Sequence, residues 1–94
     1  MVLHMIVVEL HFTGDPAARL AARPAHRELL ARLHADGDLV AAGPWADDSG
    51  ALLLFDADEA AVRQTLGADP YYRTPGVEVV TLRHWAPAVG GLAP

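Results

Sequence analysis

The chain contains no cysteine, no lysine and no asparagine, and it has one serine and one isoleucine in 94 residues. Without cysteine there are no disulfides, thiolate metal sites, iron–sulfur clusters or cysteine nucleophiles. Without lysine there is no Schiff-base chemistry and no phosphate-loop lysine, and Ser49 alone offers little for a serine nucleophile. Positive charge rests on seven scattered arginines against twelve acidic residues, a net charge of -5. That balance provides no basic stripe to neutralise phosphates, so nucleic acid is not an expected partner. No apolar run approaches the roughly 18 residues that would suggest a membrane span, so no membrane partner is expected either. Met1 to Phe12 lacks a basic start and a small-residue cleavage site, which reads as no signal peptide and a cytoplasmic location.

What remains is 52% hydrophobic and 20% charged, a composition that folds around one core. Val2 to Phe12 alternates as a strand whose two faces are both largely apolar, the signature of a central strand. Asp15-Pro16 reads as a helix cap followed by proline at the first helical position, opening a short helix to Ala22. Pro24 starts a second helical run to Ala35, closed by Gly37. Leu39 to Gly43 and Ala51 to Phe55 form a hairpin across Asp47-Asp48-Ser49-Gly50. Asp56 with Glu59 suggests a capping box for a helix through Leu66 that Gly67 ends, and a last strand runs from Val77 to Trp85. The order is β-α-β-β-α-β, a ferredoxin-like α+β arrangement over residues 1–86 with a flexible Pro/Gly-rich tail at 87–94. Two helices cover one face of such a sheet, and a homodimer packed sheet against sheet is the simplest cover for the other.

Five histidines invite a test for metal ligation, and the spacing argues against it. His26 and His34 lie eight positions apart on one helix, about 12 Å along its axis, and His4 and His11 point to opposite faces of a strand. No metal site is expected. His26 shares a helical stripe with Leu29, Leu30 and Leu33 and therefore faces inward. It reads either as a histidine satisfied at the core edge or as a proton-transfer group near a helix start, where free N–H groups would favour the neutral ring. Asp69-Pro70-Tyr71-Tyr72 is either a turn or a carboxylate beside a pocket wall, and Gly43-Pro44-Trp45 either ends a strand or lets backbone approach a ligand closely.

The ordered set Arg23-Pro24-Ala25-His26, Gly37, Leu39-Val40-Ala41-Ala42-Gly43-Pro44 and Asp69-Pro70-Tyr71 resembles the YCII-related (YciI-like) domain family. The resemblance extends from the first strand to Trp85. It implies small dimers of ferredoxin-like fold with a His-Asp pair in a pocket, and lyase-like chemistry for part of the family. Carried onto this chain, the pair is His26 and Asp69.

The sequence therefore leads to two expectations of different kinds. One is a cofactor-free catalyst of elimination or isomerisation on a small organic molecule. In that reading His26 is the general acid or base, Asp69 orients its ring, and Arg23, Gly43, Pro44, Trp45 and Tyr71 hold the substrate. The other is a non-catalytic dimeric module that binds a small ligand in the same cleft, which needs the same lining. A further expectation attaches to Gly43: a side chain there should be excluded on steric grounds.

Overall fold

The computed structural model describes residues 5–90. Strand β1 (Met5–Phe12) carries Ile6, Val8 and Leu10 at alternate positions, and all three are buried. The chain then forms helix α1 (Ala17–Ala35), β2 (Leu39–Pro44), β3 (Gly50–Asp56), helix α2 (Glu59–Ala68), a 3-10 turn at Pro70–Arg73 and β4 (Val77–Trp85). The strands lie in the order β2-β3-β1-β4 with every neighbour antiparallel, so β1 is a central strand as its two-sided apolar pattern predicts. This is an α+β fold with a four-stranded antiparallel sheet and two helices, compatible with the ferredoxin-like arrangement.

The core joins Ile6, Val8 and Leu10 to Leu39, Leu53, Phe55, Val62, Tyr71 and Tyr72. Leu30 and Leu33 of α1 and Leu66 of α2 pack against the same cluster, so both helices lie on one face of the sheet. On the opposite face, Val7 pairs with Leu54, and Glu9 with Leu52. These four are only partly buried. His4 lies outside the described residues, and His11, at the end of β1, is exposed.

Three boundaries differ from expectation. First, α1 is one helix of 19 residues that runs straight through Pro24. Proline removes the N–H that would reach the Leu20 carbonyl and disfavours helix at Arg23. Against that cost, Arg19, Ala22, His26, Leu30 and Leu33 form one inward stripe spanning the proline, buried or partly buried along its length, and burial of that stripe outweighs the local penalty. The N-cap is Pro16 rather than Asp15, although Asp15 Oδ1 accepts the Ala17 N–H at 3.0 Å just ahead of the helix.

Second, the cap of α2 is Asp58, whose Oδ1 accepts the Ala61 N–H at 2.8 Å, and not Asp56. Asp56 stays in β3 opposite Met5 and donates its N–H to the Asp38 carbonyl. Third, Gly67 lies inside α2, which ends one residue later. Gly37 does close α1 as expected. It adopts φ +86°, its N–H bonds to the His34 carbonyl, and the Asp38 N–H bonds to that of Leu33, which makes a Schellman motif.

Candidate active site

The single α1 stripe and the edge strand β2 face each other across a cleft of about 590 Å³, within the size range of small-molecule sites. Arg23, His26, Arg27, Leu30 and His34 line it from α1, and Leu39 to Pro44 from β2. Leu10, Phe12, Ala51 and Leu53 form the floor, and Tyr71 contributes from the 3-10 turn.

His26 is 6% exposed and Asp69 is 5% exposed. The ring Nδ1 donates to Asp69 Oδ2 at 2.6 Å. A carboxylate oxygen can only accept here, so this bond assigns the ring proton to Nδ1 and leaves Nε2 with a lone pair. Nε2 has no hydrogen-bond partner among the described residues, and the fully enclosed unpaired side-chain atoms are Arg19 Nη1 and Tyr72 OH. Nε2 is therefore unpaired but not fully enclosed, on a ring that lines the cleft.

Asp69 is held by the turn that follows it. It is the cap of the 3-10 segment, and its Oδ1 accepts the Tyr71 N–H at 3.0 Å while Oδ2 serves His26. One carboxylate thus fixes both the turn and the imidazole. The turn in turn places Tyr71 flat on the imidazole, with ring centroids 3.8 Å apart and planes 7° from parallel. Tyr72 meets the same ring edge-on at 5.3 Å and 88°.

Burial pushes the His26 imidazole below its ordinary value of 6.5, the hydrogen bond and charge of Asp69 oppose that, and the Arg27 guanidinium adds to the lowering. The balance favours a neutral ring at neutral pH. Burial also raises the Tyr71 phenol, with Arg19 and Arg23 acting the other way, and raises Tyr72 further.

A second cluster adjoins the first. Asp48, at the hairpin turn with φ +58°, receives Arg19 Nη2 at 3.2 Å and has Arg23 Nη2 at 3.7 Å. Arg19 is 5% exposed and lies over the Phe12 ring, 4.1 Å from its centroid. The β2–β3 turn is thereby tied to the first half of α1.

Of the residues singled out from sequence, His26, Arg23, Gly43, Pro44 and Tyr71 line the cleft, and Asp69 backs His26 from within the protein. Trp45 does not line it. It stands one residue past β2, 42% exposed, beside Gly50. Within the chain itself the steric expectation for Gly43 fails, because a Cβ there meets no protein atom within 4 Å. Gly50 is crowded instead, since a Cβ there would run into the backbone carbonyl of Leu10, and Gly76 is likewise crowded against the Thr13 carbonyl. The location expected for His26 also changes. It sits in the middle of α1, so its neutrality owes nothing to a helix start and comes from desolvation instead.

Arg19, Asp48, Arg27 and His34 were not singled out from sequence for this site. Arg19 joins the inward stripe once α1 is read as one helix across Pro24, and Arg27 and His34 flank that stripe within the helical run expected from Pro24, whereas Asp48 carries no local signal. His34 is anchored by Nδ1–H donating to the Leu39 carbonyl at 2.9 Å. Among the described residues no three His, Cys, Asp or Glu side chains gather as a metal site, and no helix is long and apolar enough to cross a membrane.

Comparison with known families matches the YCII-related domain over residues 3–86, nearly the whole chain. The chain belongs to the YCII-related domain family. Neither the curated proteins nor the solved structures give a match. Family membership thus rests on the domain as a whole, and the chemistry of this YCII-related chain is argued from its own cleft.

Proposed function

We propose that the chain is a small-molecule acid–base catalyst in which His26 Nε2 moves a proton on a substrate bound in the cleft, with Asp69 supporting the imidazolium that forms. The observation that carries this reading is the 2.6 Å Nδ1 to Oδ2 bond on a ring that lines the cleft. In an isomerisation, Nε2 takes a proton from carbon beside an electron-withdrawing group and returns it to another atom. In an elimination, the C–H pair becomes the new double bond, the leaving group departs with its bonding pair, and the proton is carried off by His26. A positioned group of this kind supplies about 10² to 10⁴ in rate.

Arg23, Gly43, Pro44 and Tyr71 are the substrate-contacting residues in this reading. Tyr71, stacked on the imidazole, restricts the ring to one plane and keeps water from one of its faces.

The test is proton exchange. A panel of ketones, lactones and carboxylates is incubated in D₂O with the chain and followed by proton NMR. Deuterium uptake that disappears in His26→Ala supports the catalyst. Saturable binding without exchange in any member would favour a non-catalytic ligand-binding module.

We also propose that the chain is a homodimer through the sheet face opposite the helices. The support is that face's partly buried apolar side chains, Val7, Leu52 and Leu54, which no helix of the same chain covers.

A further inference from the structure

The chain carries a net charge of -5, yet the residues lining the cleft include no Asp or Glu. Its ionisable groups other than Tyr71 are Arg23, His26, Arg27 and His34, all on one side of α1. Seen from α1, one wall is cationic, while the floor of Leu10, Phe12 and Leu53 is apolar.

The two arginines are not equivalent. Arg23 is partly held, 3.7 Å from Asp48. Arg27 makes no ion pair and no side-chain hydrogen bond among the described residues, and it lies one position from the proposed base. It also acts against protonation of His26. A cation that opposes the charged form of the base is offset when an anion binds beside it.

We propose that the ligand of this cleft is a small carboxylate with an apolar body, its carboxylate on Arg27 and Arg23 and its body over the floor. This deepens the catalytic reading and rests on it only in sharing the same cleft. Arg23 and Arg27 are four residues apart, about 6 Å along the helix axis, so both guanidinium forks can reach one planar carboxylate. Phosphate is the poorer fit. Its usual cradle is a run of backbone N–H groups at a helix start or glycine-rich loop, and here the cationic groups project from the body of a helix.

The experiment uses the full chain with three probes: benzoate, its neutral isostere benzamide, and inorganic phosphate. Binding is followed by calorimetry and by backbone amide shifts. Benzoate is expected to saturate, with shifts centred on the cleft-facing stretches of α1 and β2, and benzamide to bind about tenfold or more weakly, as expected for the loss of a charge-assisted hydrogen bond. Arg27→Gln, at an exposed position, should lower benzoate affinity by about the same factor while melting temperature and benzamide affinity stay unchanged. Equal affinity for benzoate and benzamide, an Arg27→Gln variant that binds benzoate normally, or phosphate binding the same residues as tightly as benzoate would each overturn the proposal. Its failure is separable from that of the catalyst. Exchange confined to neutral compounds would sink the carboxylate and leave His26 as the base. Charge-dependent benzoate binding without exchange in any compound would do the reverse.

Discussion

Asp69 and His26 are 43 residues apart, yet Oδ2 of the one accepts from Nδ1 of the other at 2.6 Å with both side chains buried. The second oxygen of the same carboxylate accepts the Tyr71 N–H. The turn that positions Tyr71 against the imidazole is therefore fastened by the group that sets the imidazole's tautomer. Changing Asp69 perturbs proton affinity and ring packing together.

Asp69→Asn keeps an oxygen to accept from Tyr71 while its NH2 faces Nδ1, so it removes both the negative charge and the acceptor that held the Nδ1 proton. Because Asp69 raises the His26 pKa, the variant should titrate His26 at a lower pH than wild type, as read from ring-proton shifts. Asp69→Ala, which also removes the cap, should cost about 2 to 3 kcal/mol in denaturant unfolding, from the lost bond to His26 and the lost cap. An unchanged His26 titration in Asp69→Asn would mean the carboxylate does not govern the ring.

Stability should depend on pH through His26 in a definite direction. The folded-state pKa lies below the unfolded 6.5, so as pH falls the unfolded chain takes up this proton before the folded one. The stability from a neutral buried ring is present in full above about pH 6.5 and is lost as pH drops through the folded value. His26→Gln lacks this group. The stability difference between wild type and His26→Gln should shrink as pH is lowered from 7.5 to 5, measured by urea titration at each pH. A difference that grows on acidification would reverse the assigned shift.

Gly50 and Gly43 make opposite predictions. Gly50→Ala forces a Cβ against the Leu10 carbonyl across the β1–β3 ladder and should cost about 2 kcal/mol or more. Gly43→Ala adds a methyl in open space and should stay within about 0.5 kcal/mol. Thermal melts of both variants check this, and equal costs would contradict the assigned crowding.

For the dimer, sedimentation at micromolar concentration should return twice the chain mass. Leu54→Arg, on the face away from the helices, should return the monomer with α1 and α2 intact by circular dichroism. A wild-type monomer would leave Val7, Leu52 and Leu54 as ordinary partly buried surface.

The strands were legible as β-branched and apolar runs bounded by turn residues: β1 is apolar on both faces, β4 begins after Gly76, and the β2–β3 hairpin turns through Asp47-Asp48-Ser49. The helices were less so. Pro24 is a strong local stop signal, and only the stripe of Arg19, Ala22, His26, Leu30 and Leu33, which becomes meaningful once packed, overrides it. His26 was visible from its inward stripe, and its pairing with Asp69 followed from the family resemblance and the topology. The flat stack of Tyr71 was not visible, because a four-residue 3-10 turn has no periodicity to read. Nor was the reach of Asp48 to Arg19, which depends on a left-handed residue at a hairpin tip.

The central claim is that His26 presents an unprotonated Nε2 to the cleft while Asp69 holds its Nδ1 proton. Long-range ¹⁵N–¹H correlation of the His26 ring at pH 7.5 tests it most directly. The account predicts a neutral ring with the proton on Nδ1 and a pyridine-type shift at Nε2. A proton on Nε2, or an imidazolium with both nitrogens protonated at that pH, would contradict it.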